Sequence, residues 1–154
     1  MKKIIIILVM LLFTTILPIA GVDIHSDMFL IHSTNTAYAD DTSTVDRAIK
    51  EIVKEEHVSI IRAMVWVESR GNASAVSATG DYGILQVNKR TWKHKYDFSK
   101  MHELYYGLYC GYDIFMYCLD RACGDVRYAL RLYNGSWAYV DKIYNTMERE
   151  IAFS

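Results

Sequence analysis

A run of apolar residues that ends in a single carboxylate constrains this chain more than any other feature. Every residue from Ile60 to Val67 is apolar except Arg62. A helix that is apolar nearly all round packs inside a protein. Glu68 follows directly, and the group Ser69-Arg70-Gly71-Asn72 then favours a helix end. The pattern predicts a buried helix over residues 60–69, with Glu68 in its last turn and facing a cleft.

This setting suits Glu68 to acid–base chemistry. Apolar surroundings disfavour the charged form of a carboxyl group and therefore raise its pKa. A carboxyl group tuned in this way can act as a general acid near neutral pH. The alternative is a solvated Glu at a helix end, which is the commoner situation for an isolated Glu. Motifs further along the chain decide between the two interpretations.

The first 39 residues have the pattern of an export signal. Lys2-Lys3 precede an apolar run from Ile4 to Leu17, which is interrupted only by Thr14-Thr15 and ends at Pro18, the only proline of the chain. A basic start followed by such a run is typical of a secretory signal, and the run is short for a membrane span. Cleavage after Ala20 or after Ala39 fits this pattern, and an uncleaved anchor is the alternative.

We prefer cleavage after Ala39, because the helical pattern begins just beyond it. Residues 1–39 are therefore interpreted as a signal peptide or N-terminal anchor, and residues 40–154 as one catalytic domain. With either fate of the N-terminus, we expect the domain to be exported and to work outside the cytoplasm.

The rest of the chain is predicted to be helical, because it contains no strand pattern of any length. Apolar residues recur at helical spacing in several segments, and Gly111 on one apolar face suggests close approach of another helix. Trp137 and Val140 mark the apolar face of the last segment. The predicted helices cover residues 45–56, 60–69, 100–122, 126–133 and a last segment through 137–147. The predicted fold class is all-α.

Composition limits the partners and cofactors. The net charge is −1 and no basic stripe is present, so nucleic acid is not expected as a partner. The twelve Tyr and three Trp suit a sugar-binding groove, although such rings also pack cores. Of the three cysteines, Cys110 and Cys118 lie about 12 Å apart on one helix, too far to bridge, so free thiols are expected. No His lies at ligand spacing from them, so neither metal nor cofactor is predicted.

Three short motifs follow one another along the chain. They are Glu68-Ser69 with Gly71-Asn72, then the run Gly-Asp-Tyr-Gly-Ile-Leu-Gln-Val-Asn at 80–88, then Tyr133-Asn134-Gly135. Each alone is weak, but together, in this order and spacing, they resemble the soluble lytic transglycosylases, lysozyme-like enzymes that cleave peptidoglycan. The resemblance covers residues 45–147, and it implies a lysozyme-like fold with a catalytic cleft.

The resemblance also implies partners and a reaction. The chain looks most like small exported transglycosylases that accompany secretion, pilus and conjugation machines, so glycan strands and such an apparatus are the partners implied. Glu68 matches the family's single acid/base, which cleaves the β-1,4 bond between N-acetylmuramic acid and N-acetylglucosamine and leaves 1,6-anhydro ends. Leu85 stands where many members have Met.

Five further residues are predicted to bind substrate, each with a structural alternative. Ser69 either bonds Glu68 or satisfies the helix end, and Tyr133 either lines the cleft or fills the core. The amide side chains of Gln86 and Asn88 suit sugar hydroxyls and N-acetyl groups, but could instead bond within loops. The predicted substrate-binding residues are Ser69, Gln86, Asn88, Tyr133 and Asn134.

Asp81 is a candidate second carboxylate. The segment 81–88 also resembles animal-type lysozymes, in which the matching Asp has that role, so a hydrolytic muramidase using Glu68 with Asp81 is the alternative function. Asp81 could equally be a turn residue. A non-catalytic wall-binding subunit is a third hypothesis. The three cysteines cannot supply the disulfides of the animal family, so the transglycosylase is preferred.

Overall fold

The computed structural model describes residues 42–152, with side chains to residue 149. Six helices and two short strands follow in order. They are α1 Thr42–Ile52, α2 Val58–Ser69, β1 Asp81–Tyr82, β2 Val87–Asn88, α3 Lys89–Trp92, α4 Leu104–Arg121, α5 Val126–Asn134 and α6 Trp137–Ala152, with a 3-10 turn at Glu55–His57 before α2. The predicted all-α class is confirmed. None of the described helices is long and apolar enough to cross a membrane.

Local sequence accounts for where the helices begin and end. The carboxylate of Asp125 accepts a hydrogen bond from the Tyr128 amide at 3.0 Å and so caps the start of α5. α5 ends where Gly135 takes a left-handed φ of 89°. α4 is followed by two left-handed residues, Cys123 with φ 52° and Gly124 with φ 85°, and the amide of Gly124 donates to the Leu119 carbonyl at 2.9 Å.

The core forms around α2, as its composition predicts. Ile61, Ala63 and Met64 are completely buried. α2 packs against α6 and α1, while α4 packs against α1 and α5. Trp66 is an exception within α2, since its side chain is 53% exposed. This packing places the C-terminal end of α2, and with it Glu68, beside α6 and beside the two short strands β1 and β2.

The expectation of no strands is wrong in one small place. β1 and β2 pair antiparallel, with Asp81 opposite Asn88 and Tyr82 opposite Val87. Two-residue strands are too short to show the alternation by which a strand is recognised. The tight turn between them depends on left-handed residues, Gly83 with φ 78° and Gln86 with φ 48°.

Two expectations about close packing also need correction. A Cβ at Gly111 would overlap the side chain of Leu85, so the close neighbour of α4 there is the hairpin turn and not another helix. Trp137 is 52% exposed and does not belong to the buried face of α6. The three cysteines are free thiols, with Cys110 and Cys118 buried and Cys123 exposed.

Candidate active site

A cavity of about 400 Å³ opens beside the C-terminal end of α2. Most of the predicted site residues line it, although they come from four separate elements. The lining residues are Glu68, Ser77, Asp81, Gln86, Val87, Asn88, Trp92, Ile114, Tyr133 and Asn134. Of the predicted site residues, only Ser69 is absent from the lining.

Glu68 is half-buried at the end of α2 and has the pKa predicted for an acid catalyst. Burial is the main cause and raises its pKa from 4.5 to about 7. The negative charge of Asp81 also raises this pKa, whereas the hydroxyl of Tyr139 and the charge of Lys142 lower it. Glu68 can therefore both donate and accept a proton near neutral pH.

Tyr139 is a neighbour of Glu68 that the sequence reasoning missed. Its side chain is only 7% exposed, and burial raises its pKa well above the ordinary value. The hydroxyl acts on the Glu68 carboxyl as a hydrogen-bond donor that lowers the pKa of Glu68. The contact lacks good hydrogen-bond geometry, and the hydroxyl has no other partner among the described residues. Tyr139 precedes the buried Ile143 by one helical turn, which is the signal that could have identified it.

Ser69 and Tyr133 support the cleft from behind. The Ser69 hydroxyl donates to the Ile84 carbonyl at 2.8 Å, and the Tyr133 hydroxyl donates to the Leu85 carbonyl at 2.8 Å. Two helices thus hold two successive carbonyls of the same turn. Ser69 does not bond Glu68, and its structural interpretation fits the geometry better.

Asp81 lines the same cavity and is held in the ionised form. Burial raises its pKa, but hydrogen bonds from Thr79, Ser77 and Asn88 outweigh burial and lower the pKa below its ordinary value. The Ser77 hydroxyl lies 2.7 Å from the carboxylate and the Asn88 amide 2.6 Å from it. The bond from Asn88 also joins β1 to β2, so Asp81 is both a structural residue and a charge that acts on Glu68.

The amide residues are largely occupied by bonds within the protein. Gln86 donates through Nε2 to the carbonyls of Ala75 and Gly83 at 3.2 and 2.9 Å. Asn88 donates to Asp81, and its carbonyl oxygen accepts from the Thr91 amide at 3.1 Å, which caps α3. Asn134 is exposed on the cavity wall at the end of α5. Of the three, Asn134 is the one most available to a sugar.

The described residues contain no group of three His, Cys, Asp or Glu side chains that could hold a metal ion. The expectation that the reaction needs neither metal nor cofactor stays a prediction.

A mainly helical domain with an acid of raised pKa in an open cleft has the form of a lysozyme-like, glycan-cleaving enzyme. A family model described as the transglycosylase SLT domain matches residues 35–146, which is most of the chain. The protein therefore belongs to the lytic transglycosylase family, whose members cleave peptidoglycan. Neither the curated proteins nor the solved structures compared with the chain gave a match.

The family match confirms three predictions, namely the family, the enzyme class and peptidoglycan as the substrate. It does not test which residues act, nor the boundary at residue 40, which both stay predictions.

Proposed function

We propose that this enzyme cleaves the β-1,4 bond between N-acetylmuramic acid and N-acetylglucosamine and leaves 1,6-anhydro ends, with Glu68 as its single acid/base. The observation that supports this most is the contrast between the two carboxyl groups of the cavity. The pKa of Glu68 is raised to about 7, whereas that of Asp81 is lowered. Only Glu68 can hold a proton to donate at neutral pH.

Glu68 would act first as an acid and then as a base. It protonates the glycosidic oxygen while the N-acetyl oxygen of the substrate attacks the anomeric carbon, giving an oxazolinium-like intermediate. The Glu68 carboxylate then takes the proton of the 6-hydroxyl, whose oxygen attacks the same carbon and closes the anhydro ring. No water is consumed, and the internal nucleophile benefits from its high effective concentration.

A hydrolytic muramidase is the second candidate, because Asp81 lines the same cavity and its charge acts on Glu68. In that reaction Asp81 would stabilise the intermediate or activate water. The Asp81 carboxylate instead accepts hydrogen bonds from the side chains of Ser77, Thr79 and Asn88. A non-catalytic wall-binding subunit would not require a Glu68 whose pKa is raised to about 7.

We also propose that the protein is exported and acts in the cell envelope. Lys2-Lys3 and the apolar run that follows support export, and peptidoglycan lies outside the cytoplasmic membrane. Service to an envelope-spanning secretion or conjugation apparatus is supported by the resemblance to small transglycosylases of such machines.

Mass spectrometry of the muropeptides released from purified cell wall tests this function. The proposed reaction gives ends that are one water lighter than reducing ends. Glu68→Gln should lower the rate by about 10²-fold or more, because it removes the acid/base. Asp81→Asn should slow the reaction only moderately and leave the anhydro ends unchanged. Predominantly reducing ends, with Asp81→Asn as damaging as Glu68→Gln, would move the protein to the muramidases.

A further inference from the structure

A second cavity, of about 490 Å³, opens between the end of α2 and one face of α6. We call it the α2–α6 groove. The α6 residues that line it recur at helical spacing and so form one stripe along that helix. The charged, amide and aromatic residues of its lining are Trp66, Arg70, Asp141, Lys142, Asn145 and Arg149.

The groove carries an excess of positive charge. Arg70, Lys142 and Arg149 oppose one acid, Asp141, and that acid already accepts a hydrogen bond from Arg127 at 3.2 Å. None of the three cations forms an ion pair with a described acidic residue. A groove with unpaired cations is complementary to a ligand that carries carboxylates, and Arg in particular can bind a carboxylate through two parallel hydrogen bonds.

Trp66 adds a flat apolar surface at the edge of the groove. Its ring is 53% exposed, although most of α2 is buried, and the Arg70 guanidinium lies 5.5 Å from the ring centroid. Such a ring can pack against an extended backbone or an aliphatic side chain, while the Asn145 amide offers a donor and an acceptor. The combination of a ring, an amide and three cations suits an acidic peptide.

The groove lies close enough to the active site for a short extended peptide to join the two. Val67 lines it and directly precedes Glu68, and Lys142 lines it while its charge also acts on Glu68. Opposite faces of one helix are separated by about 10 Å. An extended peptide spans about 3.5 Å per residue, so three or four residues cover that distance.

We propose that the α2–α6 groove binds the peptide stem that peptidoglycan carries on N-acetylmuramic acid, with Arg70 and Arg149 binding its carboxylates. The inference rests on the proposed function, because the stem is attached to the sugar whose bond Glu68 would cleave. The carboxylates of an acidic peptide match the cations of the groove, and three or four extended residues cover the distance to the cleft. Binding of the stem then favours peptide-bearing strands over bare glycan.

The test compares soluble glycan oligomers that carry stem peptides with the same oligomers stripped of peptide by an amidase. The double variant Arg70→Asn/Arg149→Gln removes two cations, and Asn tolerates the left-handed conformation of Arg70, whose φ is 55°. The ratio of kcat/KM on peptide-bearing to peptide-free oligomers should fall roughly tenfold, since charged hydrogen bonds to the stem are lost. Lys50→Gln, which removes an exposed cation of α1, is the matched control and should leave the ratio unchanged.

An unchanged ratio in the double variant, or an equal fall in Lys50→Gln, would overturn the peptide-binding role. Arg149→Gln alone provides a second measurement, in which the same ratio should also fall. Arg149 is exposed on α6, and its loss leaves the backbone of Arg70 untouched. If the unaltered enzyme cleaves neither oligomer, the proposed function itself fails, and this inference fails with it.

Discussion

Glu68 owes its raised pKa to burial, and three neighbours then adjust that pKa in opposite directions. The Tyr139 hydroxyl and the Lys142 charge lower it, whereas the Asp81 charge raises it. A general acid must be protonated to act, so the proposed role of Glu68 predicts that kcat/KM falls as the pH rises above about 7. The pH at which activity falls is therefore a property of residues that need not touch the substrate.

Tyr139→Phe should move this fall in activity to higher pH. The substitution removes the hydroxyl that lowers the pKa of Glu68, while the ring that fills the core remains. Asp81→Asn provides a comparison of opposite sign, because loss of its charge should lower the pKa of Glu68 and move the fall to lower pH. The measurement is kcat/KM on soluble glycan between pH 5 and pH 9.

A role of Tyr139 in packing alone would lower the rate at every pH and leave the midpoint of the profile in place. Midpoints that move in the same direction in both variants would contradict the opposed roles of Tyr139 and Asp81.

At the scale of elements, three helices hold one turn of the chain at the cleft. Ser69 of α2 and Tyr133 of α5 donate to the carbonyls of Ile84 and Leu85. Gly111 of α4 leaves the space that the Leu85 side chain occupies. The turn continues into Gln86, which lines the cavity. The helices therefore determine where the cleft wall lies, although they supply few of its polar groups.

Ser69→Ala and Tyr133→Phe should each lower the free energy of unfolding by about 1–3 kcal/mol, because each removes the donor to a carbonyl of the packed turn. Their effects should not add, since both hydroxyls hold adjacent peptide units. Denaturant unfolding of the two single variants and the double variant measures this coupling.

Thr146→Ala is the matched control, because it removes an exposed hydroxyl that donates to the Lys142 carbonyl at 2.8 Å. It should change stability by less than about 0.5 kcal/mol. Strict additivity of Ser69→Ala and Tyr133→Phe would contradict a shared role in holding the turn.

Helices and their ends could be predicted from the sequence because they depend on neighbours in the chain. The spacing of Val45, Ala48 and Ile49 in α1 and the cap formed by Asp125 are examples. The hairpin could not be predicted, since its bonds join Asp81 to Ser77, Thr79 and Asn88 across a turn rather than along a repeating pattern.

The candidate site was predicted unevenly for the same physical reason. Glu68 could be identified because burial of its own helix is visible in the sequence, and that burial sets its pKa. The partners of Ser69, Gln86 and Asn88 are carbonyls and a carboxylate in other segments, so sequence alone could not separate binding sugar from bracing loops. Tyr139 was missed because the buried face of α6 was predicted from Trp137, whose side chain is exposed.

At the scale of the whole molecule, burial of the proposed acid Glu68 lowers the stability of the folded state when its carboxyl group is ionised. A carboxyl group buried without a cation paired closely to it is less stable when ionised than it is in the unfolded chain. The pKa of Glu68 rises from 4.5 to about 7, which corresponds to at most about 3 kcal/mol. This is a sizeable share of the roughly 5–15 kcal/mol by which domains are stable.

The sign of this effect sets how stability depends on pH. Below pH 4.5 Glu68 is protonated in both the folded and the unfolded state, so its burial does not lower the free energy of unfolding. Between pH 4.5 and about 7 the unfolded chain has released the proton while the folded protein retains it, so the stability contributed by Glu68 falls as the pH rises. Above about 7 the carboxyl is ionised in both states and the full cost remains.

Glu68→Gln should therefore make the full chain more stable at pH 8 by up to about 3 kcal/mol and change its stability little at pH 4, because Gln keeps the shape of the protonated acid without the charge. Thermal and denaturant unfolding of both proteins at the two pH values measure the difference. Glu148→Gln is the control, since Glu148 is exposed within α6 and its charge should matter little at either pH. If the stability difference between Glu68→Gln and the unaltered protein is the same at pH 4 and pH 8, the Glu68 carboxyl is solvated. Its pKa is then not raised by burial, and the case for Glu68 as a general acid near neutral pH fails.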